Sequence, residues 1–348
     1  MTISTKDRVE EAAKRISTYM KKGAPGDWGM DLEVWDWTPG VGVIALLDYY
    51  EQTKQQELLD DLIAWTKRNL HQAEHAKVIN SMAPFTIFPR LYELTGEQVY
   101  LNFSIRIGEW MLYEAPRTRE DAFEHTVTEA AKFPEQVWAD TVFMAVLFLA
   151  RLGRVSSDLR FSEEALKQLT LHIQLLQDEK TGLLFHGWDC GAANHMSAAR
   201  WGRANAWVAV GALMIFDELE GQLDIPHALR DQYITLLHGL KNVQHSNGLW
   251  SVVLDKPEYR TEVSGSAGIA AGFSKAVKRG WVDASFAAAA DRTLQAVLNE
   301  IDQEGMVHGV SGGTPVLATE EEYNGFACFP TLYGQGLVLL LLGQYISA

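Results

Sequence analysis

The stretch Gln136–Arg154, QVWADTVFMAVLFLARLGR, sets one acidic residue, Asp140, two places after Trp138 and directly before a run that is apolar nearly all round. A helix without a polar face cannot show any side to water and must be covered on all of them. Asp140 itself carries two readings. As a helix N-cap, its carboxylate would accept a backbone N–H of the first turn. As a poorly solvated acid beside an indole, it would have a raised pKa and a use in proton transfer.

Outward from this stretch, the chain alternates between two kinds of helix. Amphipathic segments with a charged face are expected near 6–21, 56–71, 98–114, 163–177, 226–244 and 283–299. In the second of these, Leu58, Leu59, Leu62 and Ile63 share a stripe while Glu57, Asp60, Asp61, Lys67 and Arg68 stay wet. Between them lie dry segments at 40–50, 83–94, 141–152, 205–217, 265–277 and 331–345. Six wet and six dry helices in strict alternation predict six helical hairpins with the dry member inside. An open solenoid keeps a near-constant repeat and needs polar end caps. Here the units vary in length and the last, LVLLLLGQY, is among the most apolar, so an all-α, closed (α/α)6 barrel fits better. No Pro/Gly/Ser-rich linker divides residues 1–348, which are read as a single domain.

Closure would gather the loops that lead into the inner helices at one end. Those loops read Trp35-Asp36-Trp37, Asn80-Ser81, Trp138-Ala139-Asp140, Trp201-Gly202-Arg203-Ala204-Asn205-Ala206-Trp207, Glu262-Val263-Ser264 and Thr331-Leu332-Tyr333. Indole rings, amides, one Arg and few carboxylates suit a sugar, whose C–H faces stack on aromatics while its hydroxyls need partners. The eleven Trp are the most unusual feature of the composition. A net charge of −15 makes nucleic acid and anionic membrane poor partners. No run approaches 18 apolar residues and the N-terminus lacks an apolar signal region, so a soluble cytoplasmic protein is expected. Cys190 and Cys328 form no metal or disulfide pattern.

His71-Gln72-Ala73-Glu74-His75 matches the H-x-x-E-H pattern of zinc peptidases, but it sits at the polar end of an outer helix. Gly309-Val310-Ser311-Gly312-Gly313 matches G-x-S-x-G without the strand and helix that a nucleophile elbow needs. Arg203 could pair with an acid or receive a substrate carboxylate on its flat guanidinium. His125 and His186, the latter beside Trp188, are the histidines expected to reach the cavity.

Taken together, VWADTVFM, then WGRANAW some sixty residues later, then EVSGSAG and PTLYGQG, resemble glycoside hydrolase family 105, the unsaturated rhamnogalacturonyl hydrolases. The related family 88 unsaturated glucuronyl hydrolases share the plan. The resemblance covers nearly the whole chain and implies an (α/α)6 barrel acting on the 4,5-unsaturated uronate at the non-reducing end of lyase-generated oligosaccharides. It implies Asp140 as general acid/base and Trp138, Trp201, Arg203 and Trp207 as substrate-binding residues, with no metal or other cofactor. Two departures stand out: Arg203-Ala204-Asn205-Ala206-Trp207 has Ala where the family has Gly, and Asn80-Ser81 stands where many relatives carry an acid.

The substrate's C4=C5 bond is an enol ether. Protonation at C4 by Asp140 would leave an oxocarbenium ion at C5, water would add there, and the hemiketal would open to expel the aglycone. Arg203 or nearby polar loop residues would hold the uronate carboxylate, and Trp37, Trp201 and Trp207 would stack on sugar rings, with Asn80, His125 and His186 close by. A conventional glycosidase would instead need a second carboxylate, such as Asp36 or Asp189. An epimerase would need paired histidines, such as His186 and His308, and a non-catalytic sugar-binding protein would need neither.

Overall fold

A computed structural model describes residues 4–73, 77–127 and 133–346. The outer helices are α1 (Thr5–Lys22), α3 (Gln56–Ala73), α5 (Gln98–Tyr113), α7 (Leu159–Leu176), α9 (His227–Asn242) and α11 (Ala284–Leu298). The inner ones are α2 (Trp37–Thr53), α4 (Phe88–Thr95), α6 (Leu147–Ser156), α8 (Gly202–Leu219), α10 (Val263–Lys278) and α13 (Leu332–Ile346). A 3₁₀ stretch, Ile79–Ile87, leads into α4 and a π-helical turn, Val142–Val146, into α6. The inner elements touch one another in cyclic order, and α13 packs against α2 to close the ring. The outer α1 lies on α13, so the first and last helices complete the sixth hairpin. This is the six-hairpin toroid read from the alternation of wet and dry helices.

The burial pattern follows the chemistry. In α8 every residue from Gly202 to Phe216 is buried, whereas α3 buries only one stripe, including Leu58, Leu59, Leu62 and Trp65. Small residues set how close the inner helices come. A β-carbon on Gly272 of α10 would lie 2.5 Å from the Ala209 carbonyl of α8, and one on Gly268 would lie 2.8 Å from the Ala206 β-carbon.

Among the described residues, two short strands interrupt the helices. Residues Gln136–Trp138 (β1) and Gly187–Asp189 (β2) form an antiparallel pair that matches Trp138 with Gly187. Two residues that are far apart in the chain therefore emerge side by side, Asp140 just after β1 and His186 just before β2. The six-residue α12 (Glu320–Gly325) covers the same end of the barrel.

Gly272→Ala tests the helix approach. The substitution gains roughly 1 kcal/mol in helix propensity, yet overpacking against backbone costs about 1–3 kcal/mol, so urea denaturation should show net destabilisation. Gly325→Ala, whose β-carbon would meet nothing within 4 Å, should be neutral. Equal midpoints for the two variants would contradict the close approach of α8 and α10.

Candidate active site

A cavity of about 250 Å³ opens at the end of the barrel where the loops into the inner helices gather. Trp37, Asn80, His125, Trp138, Asp140 and Trp201 line it, all of them expected from the sequence. Its other walls, Trp28, Val127, Phe133 and the segment Gly313–Pro315, were not anticipated. Trp28 is 41% exposed and packs on the bare backbone of Gly313, where a β-carbon would come 2.3 Å from the ring. The signal for this contact was present only as a Trp set between Gly26 and Gly29 and a glycine-rich loop far downstream.

Asp140 does not cap its helix. No backbone N–H among the described residues donates to its side chain, and its Oδ2 lies 3.2 Å from His186 Nε2. The angle there falls outside ordinary hydrogen-bond geometry, and neither atom has another partner. Oδ2 is buried, so the side chain's 14% exposure lies at its other end, toward the cavity. Around it, His125 stacks flat on Trp138 at 4.1 Å between ring centroids and shares a 3.1 Å hydrogen bond with Thr141. His186, expected to reach the cavity, instead stands behind its wall, 1% exposed and outside the lining, and packs on Trp201 at 4.3 Å. Its backbone carbonyl accepts the Ala139 N–H at 3.1 Å, which ties the residue before Asp140 directly to His186.

Electrostatics correct one expectation. Burial alone pushes the Asp140 carboxyl up, but the imidazoles of His186 and His125 and the more distant Arg203 outweigh it and hold the group below its ordinary value. Burial pushes His186 down, and His125 down to about 3. The ligand-free site therefore pairs an ionised carboxylate with neutral imidazoles.

Two further expectations are displaced. Arg203, 1% exposed, does not reach the cavity. Its guanidinium is sandwiched between Trp201 and Tyr333, 4.5 and 4.7 Å from the ring centroids. Nη1 donates to the Ser311 carbonyl (2.9 Å) and hydroxyl (2.7 Å), and Nη2 to the Gly312 carbonyl (2.7 Å), with Glu262 Oε1 3.6 Å away. The reason is helical phase: two residues past Trp201, Arg203 points away from the cavity and toward α10. Trp207 lies a turn deeper, fully buried against Phe143 at 5.1 Å. The same helix start also anchors His186, because the Asn205 carboxamide bonds both the N–H and the carbonyl of Leu184 at 2.8 Å.

The competing residues lie elsewhere. Asp36 accepts the Trp37 N–H at the start of α2 and Asp189 accepts the Ala192 N–H; neither lines the cavity. Half-exposed His308 pairs with Asp302 at 3.2 Å. Ser311 is held by Arg203 and is no nucleophile elbow. Glu74 and His75 of the H-x-x-E-H motif lie outside the described residues. Among those described, no three His, Cys, Asp or Glu side chains cluster as metal ligands do, and no helix is long and apolar enough to cross a membrane. Asn80 and Trp201 line the cavity, and Asn80 Oδ1 and Trp201 Nε1 are buried without a hydrogen-bond partner.

The model of Glycosyl Hydrolase Family 88 matches residues 9–348. The chain belongs to this family. It is 35% identical over 340 residues to the unsaturated rhamnogalacturonyl hydrolase YesR of Bacillus subtilis, covering 96% of each protein. A solved structure from Salmonella enterica serovar Paratyphi A, described as a possible member of the GH105 family, superposes with a TM-score of 0.94 at 28% identity, over 99% of this chain and 95% of that one. The unsaturated glucuronyl hydrolase of Bacillus sp. GL1 superposes with a TM-score of 0.73 at 15% identity, covering 96% and 95%, a likeness of fold alone. The family 88 member described here is a glycoside hydrolase.

Two outcomes follow for stability. Arg203→Met leaves Glu262 and two loop carbonyls without their cation, and loss of one partner of a buried pair costs about 3–5 kcal/mol; urea denaturation should register a loss of that order. Burial also holds His125 near 3 and His172 near 4 in the folded protein, whereas unfolded imidazoles titrate near about 6.5. Below that pH the unfolded chain binds the extra protons, so stability is full above it and falls as the pH drops toward 4. His172→Leu should remove roughly 1–2 kcal/mol of the loss between pH 6.5 and 5. A loss as large in the variant as in the parent would contradict the buried neutral state.

Proposed function

We propose that this family 88 hydrolase removes the 4,5-unsaturated uronic acid from the non-reducing end of short lyase-generated oligosaccharides of the rhamnogalacturonan type, by hydrating the enol ether. The reading rests on one observation above the others: of the described residues lining the cavity, Asp140 alone is acidic. Ordinary glycoside hydrolysis uses two carboxyl groups flanking the glycosidic oxygen. Enol ether hydration needs one, which gives a proton to C4 and then takes one from the water that adds at C5. The full-length likeness to an unsaturated rhamnogalacturonyl hydrolase supports the same substrate class.

Trp37, Trp138 and Trp201 offer aromatic faces to the sugar, and Asn80 stands beside them in the lining. The binding roles first assigned to Arg203 and Trp207 become indirect, since both stand behind the wall. Arg203 acts by holding Ser311 and Gly312 and thereby the segment Gly313–Pro315. Protonation of Asp140 is coupled to binding. A bound uronate brings a second carboxylate into the cavity and displaces water, and both changes push the Asp140 carboxyl up from its depressed free value.

The test follows the loss of ultraviolet absorbance of the conjugated uronate, with unsaturated rhamnogalacturonan and glucuronyl disaccharides offered in parallel. Wild type should consume the rhamnogalacturonan disaccharide faster, and Asp140→Asn should be slower by at least roughly 10²–10⁴-fold, the worth of general acid–base catalysis. Faster turnover of the glucuronyl disaccharide would overturn the substrate assignment, and unchanged turnover by Asp140→Asn the catalytic one.

A further inference from the structure

We propose that Tyr323, on the short helix α12, is a positioning residue that fixes the His186 ring with its Nε2–H toward Asp140. The inference rests on the proton-transfer role proposed for Asp140, and no sequence motif marks Tyr323.

The direction of each hydrogen bond decides it. The Tyr323 hydroxyl oxygen accepts the Leu317 backbone N–H at 3.1 Å and lies 2.8 Å from His186 Nδ1. If Nδ1 carried the proton, the phenol oxygen would receive two donors and its own proton would have to turn to the buried Ser197 hydroxyl. The bare Nε2 would then lie 3.2 Å from the Asp140 carboxylate oxygen, two acceptors in contact. With the phenol donating to Nδ1, the contact between two acceptors vanishes. The neutral ring then carries its proton on Nε2, on the side of Asp140 Oδ2 3.2 Å away, though off the line of an ordinary hydrogen bond.

The surroundings hold this arrangement rigidly. Tyr323 is fully buried and His186 nearly so. The Tyr323 ring meets the His186 ring edge-on at 5.7 Å and leans on Trp201 at 6.0 Å. Thr319 and Glu322 form a capping box at the start of α12. Arg260 binds the Asn324 carbonyl at 2.9 Å and the Phe326 carbonyl at 2.7 Å, fixing its end. A flipped His186 ring would turn carbon atoms toward both Asp140 and Tyr323. The chain from the Leu317 N–H through Tyr323 to His186 thus sets the imidazole proton on the Oδ2 side of Asp140 and leaves the opposite, cavity-side carboxylate oxygen to carry the proton.

Two measurements test this. Imidazole ¹⁵N shifts, which need no substrate, should show His186 of the wild type as the neutral Nε2–H form with Nδ1 accepting a hydrogen bond, and Tyr323→Phe should lose the Nδ1 signature. In steady-state kinetics, Tyr323→Phe should lower kcat by on the order of 10–100-fold, as loss of a group that orients a catalytic imidazole does, with KM changed less than about threefold. In a His186→Gln background the same substitution should have no further effect. An Nδ1–H form in the wild type, or a Tyr323→Phe loss that persists undiminished in His186→Gln, would overturn the proposal. If wild type turns over no unsaturated uronide, the functional reading fails, while the ¹⁵N result still decides the tautomer.

Discussion

The site is built around one buried cation. Arg203 lies between the rings of Trp201 and Tyr333 and donates to two successive carbonyls of a loop more than a hundred residues away. Tyr333 in turn stacks on Trp37 at 4.9 Å, so a continuous pile of rings and guanidinium runs behind the cavity from one wall to another. Glu262 completes the clamp, accepting the Ser311 N–H and the first-turn N–H of Gly265 in α10. A desolvated guanidinium is tolerable only when its planar donors are met, and meeting them draws α8, α10, α13 and the glycine-rich loop together. The cavity walls are a consequence of that requirement.

Much of this was legible in the chain. Helices dry on every side demand cover, and six of them alternating with half-wet partners leave few arrangements besides a closed ring. The aromatic loops could be placed at one end for the same reason, which is why Trp37, Asn80, Trp138, Asp140 and Trp201 were found together. Arg203 and Trp207 were misplaced because proximity in sequence to Trp201 says nothing about phase, and a helix turns each successive side chain by about 100°. Trp28 and Tyr323 were invisible for another reason. Each owes its position to contacts with segments distant in sequence, Trp28 with Gly313 and Tyr323 with His186. No local pattern records such pairings.

The depressed Asp140 carboxyl was also beyond reach, since its sign is set by competition. Desolvation raises it, and an apolar pocket with one indole would have left it raised. Two imidazoles and a guanidinium reverse the outcome, and the strand pair β1–β2 that delivers one of those imidazoles is the least helix-like part of the molecule. The resulting acid is ionised when the site is empty. Its working form depends on what enters, which links substrate charge to catalysis through elementary electrostatics.

Hydration of the double bond and cleavage of the glycosidic bond leave different marks on the sugar, and early-time NMR of turnover in deuterium oxide separates them. If Asp140 protonates C4, the vinylic proton signal disappears in step with release of the aglycone, and a single deuteron enters C4 on one face. Release of a sugar that still carries its double bond, with deuterium entering C4 later and on both faces, would contradict the account.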